Sequence, residues 1–133
     1  VRLAEIEMSV IVLLGVGGTR RTKEHAAATG ALISAMDPEF FAALTTTIIP
    51  GTPLARMHEK ETFELPSVTR MLEELKEIVA ATHPTDALFR TNHASNYLPL
   101  GGRVPRDSAR IIDTIERALN DTARLRPEWM RGL

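Results

Sequence analysis

The sequence predicts an α/β fold made of consecutive parallel β/α units. Two segments carry that expectation. Val10-Ile-Val-Leu-Leu-Gly-Val-Gly-Gly-Thr19 is an apolar, strand-like run that ends in a glycine-rich turn before a helical pattern. Phe41-Ala-Ala-Leu-Thr-Thr-Thr-Ile-Ile-Pro-Gly-Thr-Pro-Leu54 repeats the same strand-then-loop logic. Parallel β/α architecture places ligands at the carboxyl ends of its strands. Glycines there leave backbone N–H groups uncovered for a polar ligand.

The elements follow in order. Glu7 to Leu14 reads as a strand, because β-branched residues and leucines suit burial on both faces. Gly15 to Arg21 is a turn, and Thr22 to Met36 a helix whose apolar stripe is Ala28, Leu32 and Met36, with Ile33 beside it. Asp37-Pro38 stops that helix. Phe40 to Ile49 is the second strand, ended by Pro50-Gly51-Thr52-Pro53. A polar connection from Ala55 to Pro66 holds a partial helical turn. Ser67 caps the next helix, where Val68, Met71, Leu72, Leu75, Ile78 and Val79 follow three-four spacing. Its Glu73-Glu74-Leu75-Lys76-Glu77 run is expected to face solvent.

Ala87-Leu88-Phe89-Arg90 is a short third strand, followed by a long polar loop from Thr91 to Gly102. A last helix from Asp107 to Asn120 buries Ile111, Ile112, Ile115 and Leu119. The tail carries Trp129 beside Pro127, expected to anchor it by packing.

The chain has 133 residues, one domain's worth, and its 44% hydrophobic and 25% charged content is that of an ordinary globular protein. A net charge of -1 gives no general electrostatic reason to bind nucleic acid or an anionic membrane. No apolar run approaches the roughly 20 residues of a membrane span, and no signal peptide is recognisable, so the expected location is cytoplasmic. With no cysteine, the chain offers no disulfide, thiolate nucleophile or cysteine-held cluster. Because it opens at Val1, almost directly in a strand, it reads as a piece of something longer.

The turn at Gly15-Val16-Gly17-Gly18 lacks the third glycine of a dinucleotide fingerprint, which falls on Arg20, and lacks the Gly-Lys-Ser/Thr of a phosphate loop. It is either a tight βα turn or a turn whose backbone meets a ligand. None of the four histidines has metal-ligand spacing, and no metal site is expected. His25, His58 and His83 are expected on helix surfaces or loops. His93 stands apart, just past a strand's carboxyl end among Arg90, Asn92, Ser95, Asn96 and Tyr97. That loop either serves a ligand or fixes its own backbone. No serine-hydrolase elbow is present, and Glu59, Glu61 and Glu64 are expected in an exposed connector.

The ordered segments resemble the C-terminal part of radical S-adenosylmethionine enzymes. The nearest branch is that of uncharacterised Fe–S oxidoreductases related to the oxygen-independent coproporphyrinogen oxidase and Elongator type. The turn from Gly15 to Arg20 resembles that superfamily's Gly-Leu-Pro-Gly-Glu/Gln-Thr turn after the fifth barrel strand. Gly17 stands where proline is usual, and Thr19 and Arg20 where the polar pair is usual. Pro50 to Leu54 is similar to the loop after the sixth strand. Asn92-His-Ala-Ser-Asn-Tyr-Leu-Pro-Leu100, with Arg103-Val-Pro105, resembles the C-terminal loop of one subgroup.

The resemblance implies a fragment of a parallel β/α barrel, a partial TIM-type barrel, over 1–91, with a C-terminal loop, helix and tail extension over 92–133. Such enzymes reduce S-adenosylmethionine at a 4Fe-4S cluster. It implies a cofactor pocket at Leu13, Gly15, Gly17, Gly18, Pro50, Gly51 and Thr52. The substrate side falls to Arg90, Asn92 and Asn96, and a proton donor or acceptor to His93 or Tyr97. The family's cluster-binding cysteines lie nearer the N-terminus, so this chain alone is expected to be inactive. A half-barrel leaves an open edge and a bare apolar face, from which self-association is expected. The alternative is a non-catalytic α/β module binding a small anion or a protein partner, and the small-molecule substrate of the enzyme is not specified.

Overall fold

Three strands pair side by side in chain order, as the repeated strand-then-loop segments require. The computed structural model describes residues 5–131. In it β1 (Ser9–Leu14) lies parallel to β2 (Phe40–Thr45), and β2 parallel to β3 (Ala87–Arg90). The register runs from Ser9 opposite Phe40 to Leu14 opposite Thr45, so both strands end at one rim. Helices α1 (Thr22–Met36), α2 (Pro53–Glu59) and α3 (Val68–Ala81) occupy the crossovers. The chain closes with β4 (Gly101–Val104), α4 (Ser108–Asn120) and two single 3-10 turns at Thr122–Arg124 and Glu128–Met130. The fold is thus a mixed α/β structure with one mostly parallel four-stranded sheet in the order β1-β2-β3-β4.

Alternation along each strand decides which side the core takes. Val10, Val12 and Leu14 of β1 join Phe41 and Ala43 of β2, Ala87 and Phe89 of β3 and Val104 of β4 against the helices. Phe41 and Phe89 stack there with ring centroids 4.5 Å apart. Met71, Leu72, Leu75, Ile78 and Val79 of α3 bury as their spacing predicts, and Ile111 and Ile115 of α4 complete the core. α3 packs between α1 and α4 on this one face. The alternate residues Ile11 and Leu13 of β1 and Phe40 of β2 are 64%, 43% and 37% exposed. Among the described residues no layer covers that opposite face, and β1 has no neighbour on its outer edge.

Several expectations are corrected. β4 spans the end of the expected loop and the connection before α4; Gly101 and Gly102 hide it, because glycine gives no strand pattern. It pairs antiparallel with β3, Ala87 opposite Val104 and Arg90 opposite Gly101, so the last connection is not a parallel crossover. β1 starts at Ser9 and β2 stops at Thr45 rather than Ile49. The partial turn after Pro53 is a full helix, α2, whose N-terminus Thr52 caps by accepting the Ala55 N–H at 3.2 Å.

α1 buries Thr22, Ala26, Thr29, Gly30 and Ile33, not the expected stripe. A Cβ on Gly30 would stand 2.5 Å from the Cβ of Ala81, so small residues set how closely α1 meets α3. Leu32 and Met36 are left on an exposed flank of α1. Trp129 anchors nothing: it is 82% exposed. Glu74, expected to face solvent, is completely buried.

Candidate functional site at the strand-end rim

Three loops gather at the carboxyl ends of the parallel strands: 15–21 after β1, 46–52 after β2 and 91–100 after β3. The first is the glycine turn. Gly15 has φ +80° and Gly18 φ +65°, left-handed conformations that disfavour a side chain. The Gly18 N–H donates to the Gly15 carbonyl at 3.0 Å and closes the turn. Beyond it Thr19 donates its N–H to the Glu64 carbonyl at 3.0 Å and its hydroxyl to the Glu64 carboxylate at 2.9 Å. Between the turn and this connector lies an open cavity of about 320 Å³, lined in part by Gly17, Gly18, Arg20, Met57 and Phe63. Gly17 also packs close to His25, where an added Cβ would approach that of the histidine to 3.2 Å.

Behind the turn is the buried Glu74. Its Oε1 accepts the Gly15 N–H at 2.8 Å and lies 3.0 Å from His25 Nδ1, while its Oε2 is buried without a partner. The Thr46 and Thr47 hydroxyls are likewise buried and unpartnered. Thr46 donates its N–H to the Leu14 carbonyl at 3.0 Å, so it stands beside Gly15. The sequence pattern held a signal for Glu74: it follows Met71 by three and precedes Ile78 by four, on the apolar stripe itself.

Leu13 lies on the uncovered face of β1, half-exposed, one residue before the rim. In the second loop Pro50 and Gly51 are exposed. The Thr52 hydroxyl donates to the Ile49 carbonyl at 2.7 Å, and Arg56 donates to the Gly51 carbonyl at 3.0 Å.

The third loop is held from beneath. Asn96 is buried; its amide nitrogen donates to the Ala43 and Thr91 carbonyls at 2.8 and 3.0 Å, and its oxygen accepts the Thr45 hydroxyl at 3.0 Å. The Thr91 hydroxyl donates to the Leu98 carbonyl at 2.7 Å and accepts the Leu100 N–H at 2.8 Å. From the tail, Arg126 donates to the carbonyls of His93, Ala94 and Asn96, and Arg131 to that of Ser95. Thr45, Thr91 and these two arginines were missed by sequence reasoning, since each meets its partner across a long separation or through a main-chain carbonyl.

His93 is exposed, and its Nδ1 accepts the Ser95 N–H at 3.1 Å. A backbone amide can only donate, so the neutral ring carries its proton on Nε2. Tyr97 donates to Glu128 at 2.9 Å, under an Arg131 guanidinium 4.0 Å from its ring centre. Burial, and then the Glu128 carboxylate, push the phenol above its ordinary value. Arg131, followed by the Tyr97 hydroxyl, holds Glu128 below the usual carboxylate range. Arg90 and Asn92 are exposed and line a separate cavity of about 280 Å³ on the uncovered sheet face. The site residues therefore fall into four groups: the glycine turn with Leu13 before it, the exposed loop of Pro50, Gly51 and Thr52, the buttressed loop with His93, Asn96 and Tyr97, and the Arg90–Asn92 pair.

No group of three or more His, Asp or Glu side chains that could hold a metal occurs among the described residues, nor any helix long and apolar enough to cross a membrane. No family model, curated protein or solved structure matches the chain.

Proposed function

We propose that this chain is the C-terminal part of a radical S-adenosylmethionine Fe–S oxidoreductase, contributing part of the cofactor pocket and the substrate side. One observation carries the reading. Two successive parallel crossovers put α1 and α3 on one face of the sheet and leave apolar side chains of β1 and β2 on the other, the segregation that a β/α barrel wall requires. The open outer edge of β1 and the apolar flank of α1 are where a preceding β/α unit of the same barrel would join.

The donor set suits S-adenosylmethionine. Gly15, Gly17 and Gly18 offer backbone, with Leu13 at the strand end and Pro50, Gly51 and Thr52 in the neighbouring loop. The unpartnered Thr46 and Thr47 hydroxyls lie at the same rim, where hydroxyl groups of a ligand would complete them. The 4Fe-4S cluster does not fit this chain, which has no cysteine to hold it, so no step is drawn through it. The bound cofactor supplies a carbon radical in such enzymes. His93 Nε2 is the accessible proton-bearing group, and Tyr97 is held by Glu128 and Arg131. Arg90 and Asn92 face the substrate, and Asn96 holds the loop that carries His93.

The second reading is a non-catalytic α/β module for a small anion or a protein partner. It draws on the internal engagement of Asn96 and Tyr97. Equilibrium dialysis with S-adenosylmethionine separates the two. Retention by the chain, reduced by Gly17→Val, together with an in-frame Cys-x3-Cys-x2-Cys motif in the upstream coding sequence, supports the enzyme. No retention and no such motif overturns it.

A further inference from the structure

We propose that the uncovered sheet face binds a small amphipathic organic acid, its anionic group held by Arg90 and its apolar body lying on Phe40, Ala42 and Leu88. It gives a chemical class to the substrate side proposed above for Arg90 and Asn92 and rests on that placement, while its test needs neither cofactor nor cluster.

Arg90 ends β3 on the uncovered face, because Ala87 and Phe89 alternate with it into the core. Its neighbours across the ladder are Ala42 on β2 and Gly101 on β4, a methyl group and a hydrogen. A Cβ built on Gly101 meets nothing nearer than the Phe89 carbonyl at 3.8 Å, so the space beside Arg90 is open. The cavity there, about 280 Å³, suits a small molecule and has Phe40, Ala42 and Leu88 as its apolar lining, with Asn92 at its edge.

The charge on this face is uncompensated. Arg103, the other cation on it, is neutralised by two 2.7 Å hydrogen bonds to Asp86. The Arg90 guanidinium makes no ion pair or hydrogen bond with any described residue. A guanidinium beside an apolar surface binds a carboxylate or sulfonate through paired N–H donors. A second copy of the chain is a poorer occupant: the strand positions on this face carry no carboxylate, so a two-fold contact would bury Arg90 without a partner.

The test uses two probes of one ring system, anilinonaphthalene sulfonate and the uncharged phenyl-naphthylamine, titrated by fluorescence into the 133-residue chain at low concentration. Both should bind the wild type, the sulfonate more tightly. Arg90→Gln should weaken the sulfonate about tenfold and leave the neutral probe unchanged, while Arg103→Gln changes neither. Ala42→Leu, which fills the cavity from its own lining, should weaken both. Equal loss of both probes in Arg90→Gln, no loss of either, or failure of both to bind a wild type that sediments as a dimer would each overturn the proposal. Circular dichroism of each variant separates lost binding from lost fold.

Discussion

Glu74 Oε1 lies 3.0 Å from His25 Nδ1 and takes the Gly15 N–H from the other side, so one buried carboxylate ties α3 to α1 and to the glycine turn. The pair is separated by 49 residues, and the carboxylate is shut off from solvent while the ring is partly open to it. The turn at the rim is thus set from behind, by a helix that carries no part of it.

Truncating that carboxylate leaves a buried donor and a cavity. Glu74→Ala is expected to cost roughly 2–4 kcal/mol in urea unfolding. Glu74→Gln keeps the shape and an acceptor for Gly15, so it should cost less than half as much. Equal losses would show that the carboxylate's charge, rather than its shape and the acceptor it gives Gly15, is what the position requires.

Asn96 donates to two carbonyls, which a carboxylate cannot do. Asn96→Asp should therefore be more destabilising than Asn96→Ala at neutral pH, the alanine variant losing about 2–3 kcal/mol. Two carbonyls and burial favour the protonated acid, raising the folded value of the introduced aspartate above its unfolded one. Its deficit should shrink as the pH falls from the raised folded value to about 4 and level off below that. An aspartate variant as stable as the alanine one at pH 7 would contradict the hydrogen-bond assignment.

Asp107 precedes α4, where its carboxylate accepts from Arg106 and from the Arg103 N–H. Arg106, then that backbone amide, hold it well below the usual aspartate range. A depressed folded value adds stability above the unfolded one, and that contribution fades as the pH drops through about 4 toward the folded value. The stability difference between wild type and Asp107→Asn should be largest near neutrality and decline in acid, as thermal melts across pH will read. A constant difference over that range would refute it.

The exposed flank of α1, with Leu32 and Met36, and the free edge of β1 favour association of the isolated chain. The proposal predicts a mass above the monomer by light scattering, rising with concentration. Leu32→Lys with Met36→Lys should lower it without changing the helical circular dichroism. A strict monomer at high concentration for the wild type removes this expectation.

The sequence by itself determined the α/β class, the parallel order of β1 to β3, the apolar stripe of α3 and the strand ends at Leu14 and Arg90, but not the end of β2 at Thr45. Those features arise from local period and punctuation: apolar runs of strand length, glycine and proline at their ends, three-four spacing between them. Tertiary structure decided the rest. α1 turned its small residues, not its leucine stripe, toward α3, because Gly30 against Ala81 permits a closer approach than bulky side chains do. β4 formed from two glycines and Arg103-Val104 because β3 offered an unpaired edge, a demand no local pattern records. Glu74 went inside because partners 49 and 59 residues away converge on it, and contacts that distant in the chain exist only once the sheet and helices have assembled.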